Sequence, residues 1–225
     1  RIGAVAGVIY LIFNEGYTTG IAAEGARATL CEEAIRLGRL LQRLFPTDPE
    51  IMGLLALMLL QHARAGARFD DTGEVIPLDQ QDKARWDGVR IAEGRALVDK
   101  ATRHAQPGSY QLQAAIAAQH ARPDGADWAQ IAGLYAALEH IQPSPVVTLN
   151  RSVALLKAGQ ADEAWTLLSP LSSRLDGYFY FHGARGAILR ELGRANEARD
   201  AFSQAISLAN TAAEAAHMRD QLDAF

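Results

Sequence analysis

Two stretches of this chain repeat one another at a fixed offset. GQADEAWTLL, starting at Gly159, aligns with GRANEARDAF, starting at Gly193, and Ala164 with Ala198 and Leu168 with Phe202 stand the same 34 residues apart. A period of that length fits one pair of antiparallel helices. The glycine ends the first helix in a tight turn, the small alanine lets the second helix approach the first, and the large apolar residue fills the gap between them. A single pair buries too little surface to stand alone, so such pairs must stack.

The period is that of tetratricopeptide repeats. Fainter copies lie upstream: DWAQIAGLYAALEHIQP closes on Pro143 with Tyr135 in the large slot, and EEAIRLGRLLQRLFP runs from Glu32 to Pro46. The fold expected is all-α, antiparallel helix pairs stacked as a tetratricopeptide-like right-handed solenoid of about eleven helices. They are placed at 2–14, 22–45, 49–65, 80–105, 109–121, 128–141, 145–158, 161–173, 177–192, 195–209 and 211–223. Residues 1–108 read as a less regular helical half, and 109–225 as repeats plus a capping helix. Asp48-Pro49, Ser144-Pro145 and Asp127 mark helix starts. Pro46, Pro107, Pro143, Gly159 and Gly193 mark stops. One irregular insertion, GARFDDTGEVIPLD at 66–79, reads as a tight turn or small hairpin. It lacks the ligand spacing and distal Glu of a calcium loop.

The 225 residues carry a formal net charge of −4 and are 49% hydrophobic. That is enough for one large or two small domains, and it speaks against a non-specific nucleic-acid binder, which needs a basic face. The single cysteine, Cys31, rules out an internal disulfide, fits a reducing, cytoplasmic compartment and reads as a small buried side chain. No signal-peptide pattern follows Arg1, and the start without Met suggests a piece of a longer polypeptide. The apolar runs AVAGVIYLIF and IMGLLALMLL are each about half the roughly 20 residues a membrane span needs, so both read as buried helices. The first ends abruptly in the polar turn Asn14-Glu15-Gly16.

The six histidines contain no HExxH and no close pair, so no zinc site is expected. Walker, GxGxxG and GxSxG motifs are absent. The acid pairs Glu32-Glu33, Asp70-Asp71 and Asp162-Glu163 read as structural, the last favoured by a helix dipole. With no nucleophile, base and orienter to assemble around His120 or Glu15, the reading is non-enzymatic, with no cofactor.

Polar residues embedded in apolar helices are the more pointed candidates: Gln111, Gln113 and His120 in SYQLQAAIAAQHA, Asn150 and Arg151 in VVTLNRSVALL, His182 and Arg185 in FHGARGAIL. They either satisfy one another and nearby helix ends, or they line a groove. With Gly159 at repeat position 15, Asn150 takes position 6. With Pro143 at position 32, Gln113 and His120 take positions 2 and 9. In tetratricopeptide stacks, by resemblance, these positions face a concave groove that holds extended peptides or partner helices. A small molecule or peptide sensed in that groove is the alternative reading. In LDQQDKARWD, Asp82 and Arg85 are placed to pair on one helix face. Trp86 reads as core, or if exposed as an interface anchor.

The blocks VIYLIFNEGY, EEAIRLGRLL, GLLALMLLQHAR, LDQQDKARWD, SYQLQAAIAAQHA, DWAQIAGLYAAL, SPVVTLNRSVALL and GYFYFHGARGAILRELGR follow in this order over essentially the whole chain. Together they resemble the C-terminal extension of a group of bacterial extracytoplasmic-function sigma factors. The resemblance implies a regulatory, protein-interaction domain that modulates transcription initiation. Its implied partners are the factor's own sigma regions 2 and 4, both missing from this chain, and core RNA polymerase, with a small YCII-related protein as a further partner. It implies no direct DNA contact and no membrane. The family blocks point to Asn14, Glu15, Tyr17, Asp82, Arg85, Trp86, Gln111, Gln113, His120, Asn150 and Arg151.

Overall fold

A computed structural model of the chain describes residues 2–17 and 24–224, with the backbone alone for 24–28. It is all-α. The described helices are α1 (Ile2–Tyr17), α2 (Glu24–Leu44), α3 (Pro49–His62), α4 (Gly88–Thr102), α5 (Ser109–His120), α6 (Trp128–Ile141), α7 (Pro145–Lys157), α8 (Ala161–Leu168), α9 (Ser172–Leu175), α10 (Phe179–Glu191), α11 (Ala195–Leu208) and α12 (Ala212–Asp223). Eleven have eight residues or more, and α9 is a single turn. The chain forms two compact units, Arg1–Ala126 and Asp127–Phe225.

In the first unit α3 is central. Asp48 caps its start, accepting from the Glu50 and Ile51 amides, and Pro49 sits in its first turn. Every residue from Ile51 to Leu60 is buried, because α1, α2, α4 and α5 all pack on this helix. Two glycines permit the close approaches. A Cβ on Gly53 would lie 2.5 Å from the Gln111 nitrogen, and one on Gly94 would lie 2.7 Å from Leu60 Cγ. Helix α5, grouped in the sequence with the repeats, therefore packs on α3 and α4.

Three local expectations are corrected. First, α1 does not stop at Asn14-Glu15-Gly16 but runs on to Tyr17, whose ring stacks on Phe13 at 5.4 Å. Nor is it buried all round. Ala6, Ile9 and Phe13 face the core, while Val5, Val8 and Leu11 are 48, 56 and 69% exposed. Second, the helix expected at 80–105 begins only at Gly88. Short 3-10 turns occupy Leu78–Gln80 and Lys83–Arg85, and Asp87 caps α4 by accepting from the Val89 and Arg90 amides. Asp side chains offer the backbone such local bonds in competition with helix. Accordingly the Asp82 carboxylate accepts from the Ala84 amide, and the expected Asp82–Arg85 pairing on a helix face does not form. Third, the helix expected at 161–173 is interrupted: a 3-10 turn at Ser169–Leu171 contains Pro170, which has no N–H to donate.

The insertion at 66–79 holds a small hairpin closed by one antiparallel bridge, Phe69 to Val75. Asp70 Oδ1 accepts from the Thr72 amide, the Thr72 hydroxyl and the Glu74 amide. Among the described residues, no group of three His, Cys, Asp or Glu is placed to hold a metal ion.

The second unit carries the repeat. Ala164, Ala198 and Leu168 are fully buried, and Phe202 nearly so. Gly159 and Gly193 have φ of +79° and +72°. Each ends its helix in the same two-bond motif: Gly159 N to Leu156 O with Gln160 N to Leu155 O, and Gly193 N to Arg190 O with Arg194 N to Leu189 O. A Cβ on Gly186 would lie 2.7 Å from the Phe202 ring. One repeat earlier the same slot holds Ser152, fully buried, with its hydroxyl donating to the Leu149 carbonyl.

Candidate functional site

Of the sequence candidates, the structure gathers Tyr17, Trp86 and His120 around cations that the sequence reading passed over. Tyr17 closes the last turn of α1. Arg64, just past α3, donates from Nη2 to the Tyr17 hydroxyl at 2.7 Å. Arg68 lies with Cζ 3.6 Å from the centre of the Tyr17 ring and donates to the Tyr17 carbonyl. The Arg64 Cζ is also 5.9 Å from the centre of the Trp86 ring, and Lys83 Nζ is 5.6 Å from it. Trp86 is buried, and its Nε1–H has no hydrogen-bond partner. Lys83 is exposed and donates to the Arg122 carbonyl at 3.4 Å.

His120, the last residue of α5, is half-buried. Burial pushes its pKa down to about 4, with the Arg64 and Lys83 charges acting in the same direction. Burial lowers the Arg68 pKa too, and Arg64 adds to that. The cluster thus presents positive charge, N–H donors, two aromatic rings and a neutral imidazole. Asp82 and Arg85 are exposed beside it.

The other candidates serve different ends. Asn14 and Gln61 hydrogen-bond the Tyr10 side chain, whose pKa is raised by burial, and Glu15 is exposed. Gln111 Nε2 donates to Glu50 Oε1 at 3.1 Å and to the Gln106 carbonyl at 2.8 Å. Gln113 donates to the Ser109 carbonyl of its own helix. In the second unit Asn150 is exposed, and Arg151 Nη1 donates to Glu139 at 2.9 Å while its Nε is buried without a partner. His182 is 2% exposed, with Nε2 2.6 Å from the Asp176 carbonyl oxygen and Nδ1 unpartnered. Arg185 is half-buried on α10. Gln113 and His120 therefore belong to one compact unit and Asn150 to the other.

The acid pairs carry structural work. Glu33 pairs with Arg36, and Glu32 with Arg90, which also meets Asp87 and His62 Nδ1. Asp162 and Glu163 occupy the first turn of α8. Cys31 is buried with Sγ 3.5 Å from the Phe13 carbonyl, and burial pushes the thiol pKa up to about 11. Sequence reasoning missed Arg64, Arg68 and Glu50. The signal available for the first two was HARAGAR, a pair of arginines four apart with no acid between them.

Residues 1–102 match the sequence model of DUF6596, a family of unknown function. The chain is 58% identical over 226 residues to an uncharacterized protein of Rhizobium meliloti (strain 1021), an alignment covering 99% of this chain and 53% of that protein. The chain thus spans about half the length of the curated relative it matches. Among the described residues no helix is long and apolar enough to cross a membrane.

Proposed function

We propose that this chain is a regulatory protein-interaction domain: the C-terminal, tetratricopeptide-like extension of an extracytoplasmic-function sigma factor, working in the cytoplasm. The observation that carries the interaction reading is the outer face of α1. Val5, Val8 and Leu11 stand at helical spacing with their apolar side chains largely in solvent. Apolar side chains grouped in this way mark protein contacts more often than scattered ones do. The order of the eight sequence blocks supports the transcriptional role, and the match of residues 1–102 to DUF6596 is compatible with it. The half of the Rhizobium relative that lies outside the alignment leaves room for promoter-binding regions.

In this account the domain docks on sigma regions 2 and 4 or on core RNA polymerase, and favours one of two states of the factor. Such a shift requires contacts that differ between the states. The test is calorimetric titration of the purified chain into separately purified sigma regions 2 and 4 and into core polymerase. A saturable complex with any of them, lost on Val8→Asp with Leu11→Asp, is the expected result. No complex with any of the three refutes the reading.

A further inference from the structure

We propose that Arg64, Arg68 and Lys83, set around the Tyr17 and Trp86 rings, form a docking site for an acidic peptide segment of a partner protein. The first ground is charge pairing. Acidic residues outnumber basic ones on this chain, 26 to 22. Arg36, Arg39, Arg90, Arg122, Arg151 and Arg194 each find a carboxylate within 3.1 Å, and among the described residues unpaired cations such as Arg43 and Arg95 are exposed, whereas Arg64 and Arg68 are half-buried. Among the described residues none of Arg64, Arg68 and Lys83 has such a carboxylate, although they share one small region of the first unit. Among the described residues their contacts are instead a phenol oxygen, backbone carbonyls and aromatic faces, none of which carries a negative charge.

The second ground is the orphaned Trp86 Nε1–H, a buried donor beside two of these cations. Buried donors are rarely left unmatched. A guanidinium fork matches a carboxylate through two parallel bonds. The cations lie about two separate rings, Arg68 on Tyr17 and Lys83 on Trp86, with Arg64 touching both. That spread suits a segment with more than one carboxylate better than a single small anion. Beside the cluster exposed Arg85 adds a positive charge and exposed Asp82 a negative one.

The proposal rests on the reading of the chain as a protein-interaction domain and not on its role in transcription. Unchanged transcription on removal of the domain, with acidic-peptide binding intact, overturns only the latter. The test is fluorescence anisotropy of a fluorescein-labelled hexaglutamate peptide titrated with the whole purified chain at low salt, with hexalysine and inorganic phosphate as the other arms. Expected are saturable hexaglutamate binding, weakening as salt rises, and a shifted Trp86 indole N–H resonance. Arg64→Gln and Lys83→Gln should each weaken binding about tenfold, while Arg36→Gln leaves it unchanged. Lys83 is an exposed turn residue, so its variant keeps the test valid if Arg64→Gln disturbs folding. Absence of saturable binding, binding indifferent to Lys83→Gln, or phosphate binding as tightly as the peptide overturns the proposal.

Discussion

Glu50, in the first turn of α3, holds the start of α5 through Gln111: its Oε1 accepts from the Gln111 amide and from the Gln111 side chain, both at 3.1 Å. Its Oε2 accepts from the Tyr110 amide at 3.2 Å. The N-cap of α5 is Gly108, which has no side chain to cap with, so a carboxylate from another helix supplies the cap. Negative charge at a helix start is favourable in its own right.

Glu50→Ala should therefore destabilise the chain by about 1–2 kcal/mol. Gly108→Ala should act on the same contact, since its Cβ would lie 2.3 Å from Glu50 Oε1. The double variant should lose less than the sum of the two, because both remove one interaction. Urea unfolding followed by circular dichroism measures all three, and strict additivity would show that the contacts are independent.

In the second unit Gly186 and Phe202 set the helix spacing. Gly186→Ala should cost about 1–3 kcal/mol through overpacking against the ring. Phe202→Ala should cost about 3–5 kcal/mol through the cavity it leaves. Combining Gly186→Ala with Phe202→Leu should recover part of the first loss. Thermal unfolding of the three variants checks the order.

The pKa of His120 lies near 4 in the fold, below its ordinary value of 6.5. Between these values the unfolded chain binds the proton and the folded chain does not. Stability from this group is thus full above pH 6.5 and declines as pH falls toward 4, by on the order of 2–3 kcal/mol. His62, also lowered by burial, adds a loss of the same sign. His120→Gln should flatten the fall between pH 6.5 and 4 without removing the His62 share. A variant curve parallel to that of the parent would contradict the assignment.

Cys31 is buried, with its thiol pKa raised to about 11. Since the thiolate is the reactive form, iodoacetamide at pH 8 should label it only through opening of the fold. Labelling should speed up sharply in urea near the unfolding midpoint. Fast labelling in native buffer would place the thiol in contact with solvent.

What could be read from the sequence is what short-range chemistry determines. Asp48, Asp127 and Ser144 cap the helices that follow them, and Gly159 and Gly193 take the left-handed turns their repeat requires. Ala164, Ala198, Leu168 and Phe202 are buried as a 34-residue stack demands. Trp86 proves to be core. What could not be read depends on residues distant in sequence. The end of α1 at Tyr17 is held by Arg64 and Arg68, some fifty residues on, which no local pattern reveals. Gln111 satisfies its side chain at a helix end, one of the two alternatives open for it, but its partner Glu50 is one that no local pattern pairs with it. The late start of α4 follows from Asp82 and Asp87 capping in succession, where periodicity alone favoured one long helix.

The most direct test of the regulatory account is run-off transcription with the full-length factor and a version lacking residues 1–225, on its own promoter with purified core polymerase. Removing the domain should change transcript yield several-fold in either direction, and Val8→Asp with Leu11→Asp in the full-length factor should reproduce the change. Equal yields from the intact and shortened factors, at matched concentrations and with both folded, would contradict it.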